Sequence, residues 1–578
     1  MKRFVNFKTL ALFALLFVVS GGVTYFAHNY HTPLIVPKSH YQIARPVETV
    51  SEELPFAVFV MSYNNSDYAE KNLSSIFAQK YDNYRVIYVD DASTDDTYDK
   101  VLSLIKGHEK RVTLIRNPEN IGAAGNVWHA LKGCEDHEIV VVVDGDDALA
   151  HPYVLERLNH YYANKDVWAT YSNHIEEPDH RQGICSQPLL KSTLKNGVLR
   201  KLPWHTSHLR SAYAGLFKRI KLDDLIYNGS FLPACYDLAS VYPIAEMAGD
   251  HFYYIPETLY LYNTGNPLCD SRVRTKTQND CDRYLRKRPT YDPLPALTPI
   301  SESTQCDMIA FSFNRPLQLY ALLESTTQYM KGLNTIHVIY RANRQDYDEG
   351  YNEVFKAFPN VHAIKQPDHF AAPSFKPLLM TTLTKSASPY VIFAVDDLIV
   401  KDHVDLATCI DAMERTSAWG FYLKLGENTS HCYMANSHQG IPPMLSLRNE
   451  IMAWQFNKGK HDWAYANTVD MTVYRTSDVI SDLRRLRFHH PAKLETKWDE
   501  KRPTDRIGLC FSRSKCVNIP LNVVSHFHNN RHMHSWTPEE LMTKFNDGLK
   551  LEIDPLYQIN NLSAHIDYEP TFTHRDSD

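Results

Sequence analysis

The chain has 578 residues, of which 44% are hydrophobic, 12% aromatic and 22% charged. That is more than one compact domain needs and apolar enough for substantial cores. A formal net charge of −6 and the absence of long basic runs give no electrostatic reason to expect a nucleic-acid partner.

The ten cysteines contain no CxxC and no Cys/His set at zinc-finger spacing, so a structural zinc site is not expected. Buried thiols and a few disulfides both fit; Cys510 and Cys516 are the first pair to test.

Lys2, Arg3 and Lys8 precede Thr9–Phe26, an uncharged stretch of about 18 residues, just long enough to span a bilayer. A cleaved signal peptide is the alternative, since Ser20-Gly21-Gly22 supplies small residues near its end. The length of the apolar run favours an uncleaved anchor, with residues 1–27 as cytosolic tip and membrane helix. Flanking charge then puts the bulk of the chain on the far side, a single-pass type II arrangement. In a eukaryote that means a Golgi-type lumen, in a bacterium the inner membrane. Residues 28–54, with Pro33, Pro37 and Pro46 and little periodicity, read as a stem.

From residue 55 strands and helices alternate. Phe56–Met61 is a strand, and Ser66–Lys80 a helix with Leu73, Ile76 and Phe77 on one face, Ser66 as cap and Asp67 in the first turn. Arg85–Asp90 is the next strand, and Ser93–Asp96 opens a second helix at capping-box spacing. Val112–Ile115, a helix over Ala123–Lys132 and the strand Ile139–Val143 complete a βαβαβαβ pattern. It predicts an α/β domain with a mostly parallel sheet covered on both faces.

Two acid groups emerge from carboxyl ends of these strands: Asp90-Asp91, and Asp144-Gly145-Asp146-Asp147. Ligands of open α/β sheets bind in that crevice, and clustered carboxylates repel one another unless a cation sits among them. A divalent metal carrying a diphosphate suits the second group, and a base or ribose the first. No GxxxxGK[ST] or GxGxxG is present, so phosphate would be held by metal rather than by a glycine loop.

Val60-Met-Ser-Tyr-Asn64, Tyr88-Val-Asp-Asp-Ala-Ser-Thr-Asp-Asp-Thr97, Asn117-Pro-Glu-Asn-Ile-Gly-Ala-Ala-Gly-Asn126 and Val143-Asp-Gly-Asp-Asp147 resemble, in order and spacing, the motifs of family 2 glycosyltransferases. The resemblance implies a GT-A fold, a nucleotide-sugar donor, and Mn²⁺ or Mg²⁺ as cofactor. It implies that Ser62 and Asp91 contact the nucleobase, that Asp144 and Asp146 serve ribose and metal, and that Asp147 binds metal. Asn120 and Asn126 match less decisive donor-site positions.

Inverting members take the acceptor proton with a carboxylate further along the chain. The stretch Phe231-Leu-Pro-Ala-Cys-Tyr-Asp-Leu-Ala-Ser240 is similar to that region and puts Asp237 at the base position, with Tyr236 where the family usually writes Glu. The processive branch's Gln-x-x-Arg-Trp motif and multiple membrane helices are not seen in the sequence, so addition of one or a few sugars to a glycan, glycoprotein or glycolipid is expected.

Residues 291–304, rich in proline and without periodicity, read as a linker between domains at 55–290 and 305–578. The second half begins the same alternation again, with strand Asp307–Phe313, helix Pro316–Tyr329, strand Thr335–Tyr340, and strand Pro389–Val395 running into Asp396-Asp397. Ser312-Phe-Asn314 echoes Ser62-Tyr-Asn64. A second GT-A-like domain in tandem is expected, with Asp396 and Asp397 as a reduced metal motif and Asp470 or Glu495 as its base. Arg341 either pairs with a diphosphate or is a solvated rim residue. His526, His528, His532 and His534 read as a polar loop that could add one metal ligand. The whole is thus expected to be a membrane-anchored, metal-dependent and bifunctional transferase, or one active transferase followed by a degenerate carbohydrate-binding or scaffolding domain.

Overall fold

The computed structural model describes residues 52–297, 304–367, 375–447, 449–522 and 536–575. The expected anchor, the stem up to residue 51 and the four late histidines lie outside them. Among the described residues no helix is long and apolar enough to cross a membrane. The chain divides into two compact units: Lys221–Ser230 group with the chain from Ile300 onward, and Phe231–Pro299 with the chain up to Ile220.

In the first unit, the strands Val112–Arg116, Tyr84–Asp90, Phe56–Ser62 and Ile139–Asp144 lie side by side in that order, all parallel. Arg210–Tyr213, Ala169–Glu177 and Phe252–Asn263 continue the sheet. The sheet is mostly parallel, as expected, with Arg210–Tyr213 inserted antiparallel to both of its neighbours. Between Glu177 and Arg210 the chain forms the short strand Arg181–Gln182, the five-residue helix Lys191–Lys195 and the 3₁₀ turn Leu199–Lys201.

The helix after the first strand is Ser66–Phe77. Its Ala69, Leu73 and Ile76 recur at helical spacing and pack with Val58, Val60, Val141 and Val143 of the central strands. Each such buried side chain contributes about 1.5–3 kcal/mol of transfer free energy. In place of the expected Ser66 cap and Ser93 capping box, Asp95 serves two helix starts. Its carboxylate accepts from Ser66 N–H at 3.2 Å and from Thr97 N–H at 3.0 Å, Thr97 being the first residue of the helix Thr97–Leu104.

The second unit repeats the plan. Val361–Lys365, Leu333–Arg341, Cys306–Phe313 and Tyr390–Val395 are parallel neighbours, followed by the antiparallel strand Thr472–Arg475. Gly420–Tyr422, Ile507–Phe511, Ile451–Gln455 and Met444–Ser446 extend this mixed sheet. Trp498 and Phe393, both wholly buried, meet edge to face in its core. None of the ten cysteines, all among the described residues, forms a disulfide. Cys510 and Cys516 stand on strands of different sheets, which accounts for the absence of a bond between them.

Candidate functional site

Strand register builds the first site. Ser62 pairs with Asp90, and Met61 with Asp144, so the strand ends that carry both acid groups open on one edge of the sheet. The turn after Asp144 is fixed from below: Gly145 N–H donates to Met61 O at 2.9 Å, and the Asn72 amide donates to the carbonyls of Asp144 at 2.9 Å and Asp147 at 3.0 Å. Gly145 is required here because a Cβ would lie 2.7 Å from Ser62 Oγ and from Asn65 Nδ2.

Asp144, Asp147 and His208 bring one ligating atom each to within 4.8 Å of one another. His208 Nε2 is 3.3 Å from Asp144 Oδ2, and its ring stacks on Tyr260 at 4.7 Å between centroids. Asp147 is buried. Its Oδ1 accepts from Asn263 N–H at 2.7 Å, whereas its Oδ2 has no hydrogen-bond partner. Burial, followed by the charges of Asp146 and Asp144, pushes the Asp147 carboxyl well above the usual range. Burial acts on Asp144 in the same direction, but the hydrogen bond from His208 and the charge of Arg210 outweigh it and hold that carboxyl low. Burial and Arg210 keep the His208 imidazole below its ordinary pKa, hence neutral and able to ligate. A buried carboxylate oxygen without a partner, beside a second carboxylate and an imidazole, fits a divalent cation such as Mn²⁺.

Asp237 stands in the first turn of the helix Tyr236–Ala248. Its Oδ2 lies 3.7 Å from Arg210 Nη1, and Arg210 Nη2 lies 3.7 Å from Asp144 Oδ2. The nearly buried Arg210 therefore joins the expected base to the acid cluster. Sequence reasoning misses both His208 and Arg210. No alternation in the sequence points to them: the strand begins only at Arg210, and His208, Leu209 and Arg210 are all buried.

The other expected donor residues are placed as follows. Asp146 Oδ2 accepts from Asn266 Nδ2 at 2.6 Å instead of joining Asp144 and Asp147. Asp91 accepts from Ile121 N–H at 3.0 Å, Gly122 N–H at 2.8 Å and Asn117 Nδ2 at 2.7 Å, so its carboxylate serves the start of the helix Gly122–Ala130. Ser62 is buried beneath Gly145, with its Oγ accepting from Asn65 at 3.2 Å. Asn120 is exposed, and Asn126 is buried with its Oδ1 bonded to Asn117 Nδ2 at 2.6 Å.

In the second unit, Asp396 and Asp397 flank Arg315, whose Nη1 is 2.9 Å from Asp396 Oδ1 and 3.3 Å from Asp397 Oδ2. Asp470 pairs with Lys424 at 2.9 Å. Glu495, on the helix Pro491–Asp499, accepts through Oε1 from Thr468 Oγ1 at 2.8 Å and Val469 N–H at 3.1 Å. Burial and the charge of Asp470 raise the Glu495 carboxyl to about 7. These groups line one cavity of about 1230 Å³. No set of three metal-ligating residues converges in this unit among the described residues.

Residues 57–225 match the profile described as glycosyl transferase family 2. The chain is 25% identical over 249 residues to the bifunctional glycosyltransferase pgtA of Dictyostelium discoideum, a match covering 38% of this chain and 31% of that protein. It is 32% identical over 133 residues to the Escherichia coli UDP-Glc:alpha-D-GlcNAc-diphosphoundecaprenol beta-1,3-glucosyltransferase WfaP, covering 23% and 51%. The chain thus spans a third to a half of these relatives' own lengths. Among solved structures, the mannosyltransferase PcManGT of Pyrobaculum calidifontis, in complex with GDP-Man and Mn²⁺, is similar at 20% identity and a TM-score of 0.32. That match covers 49% of this chain and 76% of that one.

Proposed function

We propose, from the match of residues 57–225 to the glycosyl transferase family 2 profile, that the first unit transfers a sugar from a nucleotide-sugar to a hydroxyl of a glycan or glycolipid acceptor, with inversion and without processivity. The observation that carries this reading is the convergence of Asp144, Asp147 and His208, with Asp237 tied to them through Arg210. Asp144, Asp147 and His208 would hold Mn²⁺ or Mg²⁺, and the bound ion supplies positive charge that offsets the leaving diphosphate. The acceptor oxygen bonds to the anomeric carbon while the bond from that carbon to the diphosphate breaks. Asp237 takes the hydroxyl proton. Arg210 holds the Asp237 carboxylate beside the acid cluster, within reach of the reacting centre. The donor named for WfaP supports a UDP-sugar.

The repeated sheet order, and the relative named as bifunctional, support a second transferase in the second unit. The anchor at Thr9–Phe26 completes the reading as a type II membrane enzyme.

The test screens nucleotide-sugars for transfer or hydrolysis in Mn²⁺, Mg²⁺ or EDTA, with wild type beside His208→Ala and Asp237→Asn. Metal-dependent turnover lost in both variants supports the reading. Turnover with no donor, or turnover indifferent to both substitutions, sinks it.

A further inference from the structure

The two units can be compared position by position through their strand registers. Met61 pairs with Asp144 as Phe311 pairs with Val395, so Val395, Asp396 and Asp397 stand where the first unit has Asp144, Gly145 and Asp146. Val142 pairs with Arg210 as Phe393 pairs with Thr472, which puts Asp470 at the place of His208. Ser62 pairs with Asp90 as Ser312 pairs with Tyr340, which puts Arg315 at the place of Asn65 and Arg341 at that of Asp91. All three members of the first unit's ligand set have thus been replaced, Asp144 by Val395, Asp147 by Leu398 and His208 by Asp470, and two arginines have entered.

Every carboxylate oxygen of Asp396 and Asp397 already accepts a hydrogen bond. Asp396 Oδ1 accepts from Arg315, and its Oδ2 from Ser312 Oγ at 2.8 Å and Phe313 N–H at 3.3 Å. Asp397 Oδ2 accepts from Arg315, and its Oδ1 from Asn518 Nδ2 at 2.8 Å. Asn522 completes the clamp, its Oδ1 accepting from Arg315 Nε at 2.9 Å and its carbonyl from Nη2. The contrast with Asp147, whose Oδ2 is buried and unpartnered, is direct.

The cavity nevertheless shows polar groups built for a ligand. Asn518 Oδ1 and Asn522 Nδ2 belong to side chains only 4% and 5% exposed, line the cavity and have no hydrogen-bond partner among the described residues. Arg341, stacked over Phe313 at 4.5 Å, likewise presents a buried Nε without a hydrogen bond. Leaving such groups unpaired is costly, and a polar ligand recovers that cost.

We propose that this cavity binds a nucleotide-sugar without any divalent metal, with Arg315 fixed where the ion's charge would be needed, Arg341 receiving the diphosphate, and Glu495 accepting the proton of the attacking hydroxyl. The inference rests on the reading of the second unit as a transferase. In the step, the acceptor oxygen bonds to the anomeric carbon, and the bond to the nucleoside diphosphate breaks with its electron pair. The proton passes to Glu495, whose Oε1 is already engaged, leaving Oε2 as the basic atom.

The test is calorimetric titration of the full chain with UDP and with GDP, in Mn²⁺ and in EDTA. The expected result is one equivalent of nucleotide bound in EDTA and a second that appears with Mn²⁺. Arg341→Ala should weaken the EDTA-resistant equivalent by roughly tenfold or more, as loss of a charge-assisted hydrogen bond does, and spare the Mn²⁺-dependent one. His208→Ala should do the reverse. Glu495→Gln should keep the EDTA-resistant nucleotide and lose EDTA-resistant transfer.

If Mn²⁺ restores one equivalent and EDTA leaves none, the proposal falls while the first-unit reading stands. A second Mn²⁺-dependent equivalent removed by Asp397→Asn shows a metal in the second unit and also overturns it. EDTA-resistant binding indifferent to Arg341→Ala overturns the site assignment, and no binding in either condition overturns both readings.

Discussion

Arg210 holds Asp237: its Nη1 lies 3.7 Å from the Asp237 carboxylate, while its Nη2 lies at the same distance from Asp144. One buried guanidinium thus sets the position of the proposed base relative to the proposed metal-binding residues. Asp237→Asn removes only the proposed proton acceptor. It should lower kcat by about 10²–10⁴ and leave donor affinity within a few-fold. Arg210→Met should impair donor binding as well, since it also removes charge from Asp144. A steady-state split of kcat and KM distinguishes the two, and equal effects on both constants from the two substitutions would refute the bridging role.

Gly145→Ala tests the packing of the acid turn. The added Cβ meets Ser62 and Asn65 at 2.7 Å, and both are buried against the sheet end, so the turn must move. Overpacking of this kind costs about 1–3 kcal/mol. Thermal unfolding should show that modest loss, while Mn²⁺ affinity of the first site drops by a larger factor. Unchanged metal affinity would mean that the turn's geometry does not matter.

The helix that carries Asp237 is fastened at its other end. Glu246 receives two hydrogen bonds from Arg200, at 2.7 and 2.8 Å, and both side chains are only 4% exposed. Removing one partner of a buried pair costs about 3–5 kcal/mol, because the other charge is left in a poor environment. Glu246→Ala should therefore lower the denaturant midpoint markedly, and Arg200→Met with Glu246→Leu should recover part of the loss. If the double variant is no more stable than the single, the pair's charge is not the cause.

Much of the first site is legible because its residues are contiguous. An apolar strand ending in Asp144-Gly-Asp-Asp147 announces a crevice of carboxylates, and the parallel neighbours are read from alternating strand and helix periods. Arg210 opens a strand that re-enters antiparallel, with His208 just before it, and no local pattern tells which way a short strand runs. Asp91 shows another limit: its type and position suggest a base contact, but the nearby N–H groups of Ile121 and Gly122 compete for the same oxygens. In the second unit, Asp396-Asp397 reads as a shortened metal motif only while Arg315 is out of view. The echo of Ser62-Tyr-Asn-Asn65 in Ser312-Phe-Asn-Arg315 holds that information, since the fourth residue is where neutral changes to cationic.

The last prediction concerns pH and follows from Glu495. Burial and the charge of Asp470 raise its carboxyl to about 7, while Lys424 and the hydrogen bond from Thr468 pull the other way. A base works only when ionised, so EDTA-resistant transfer should fall about tenfold per pH unit below 7 and level off above it. The limb can be moved without touching the carboxylate. Thr468→Val removes a hydroxyl that stabilises the ionised form, so protonation becomes easier and the midpoint should shift to higher pH. Glu495→Gln should abolish the limb together with the rate. A midpoint that stays put in Thr468→Val, with Thr468 Oγ1 only 2.8 Å from Glu495 in the native protein, would assign the limb to a different group.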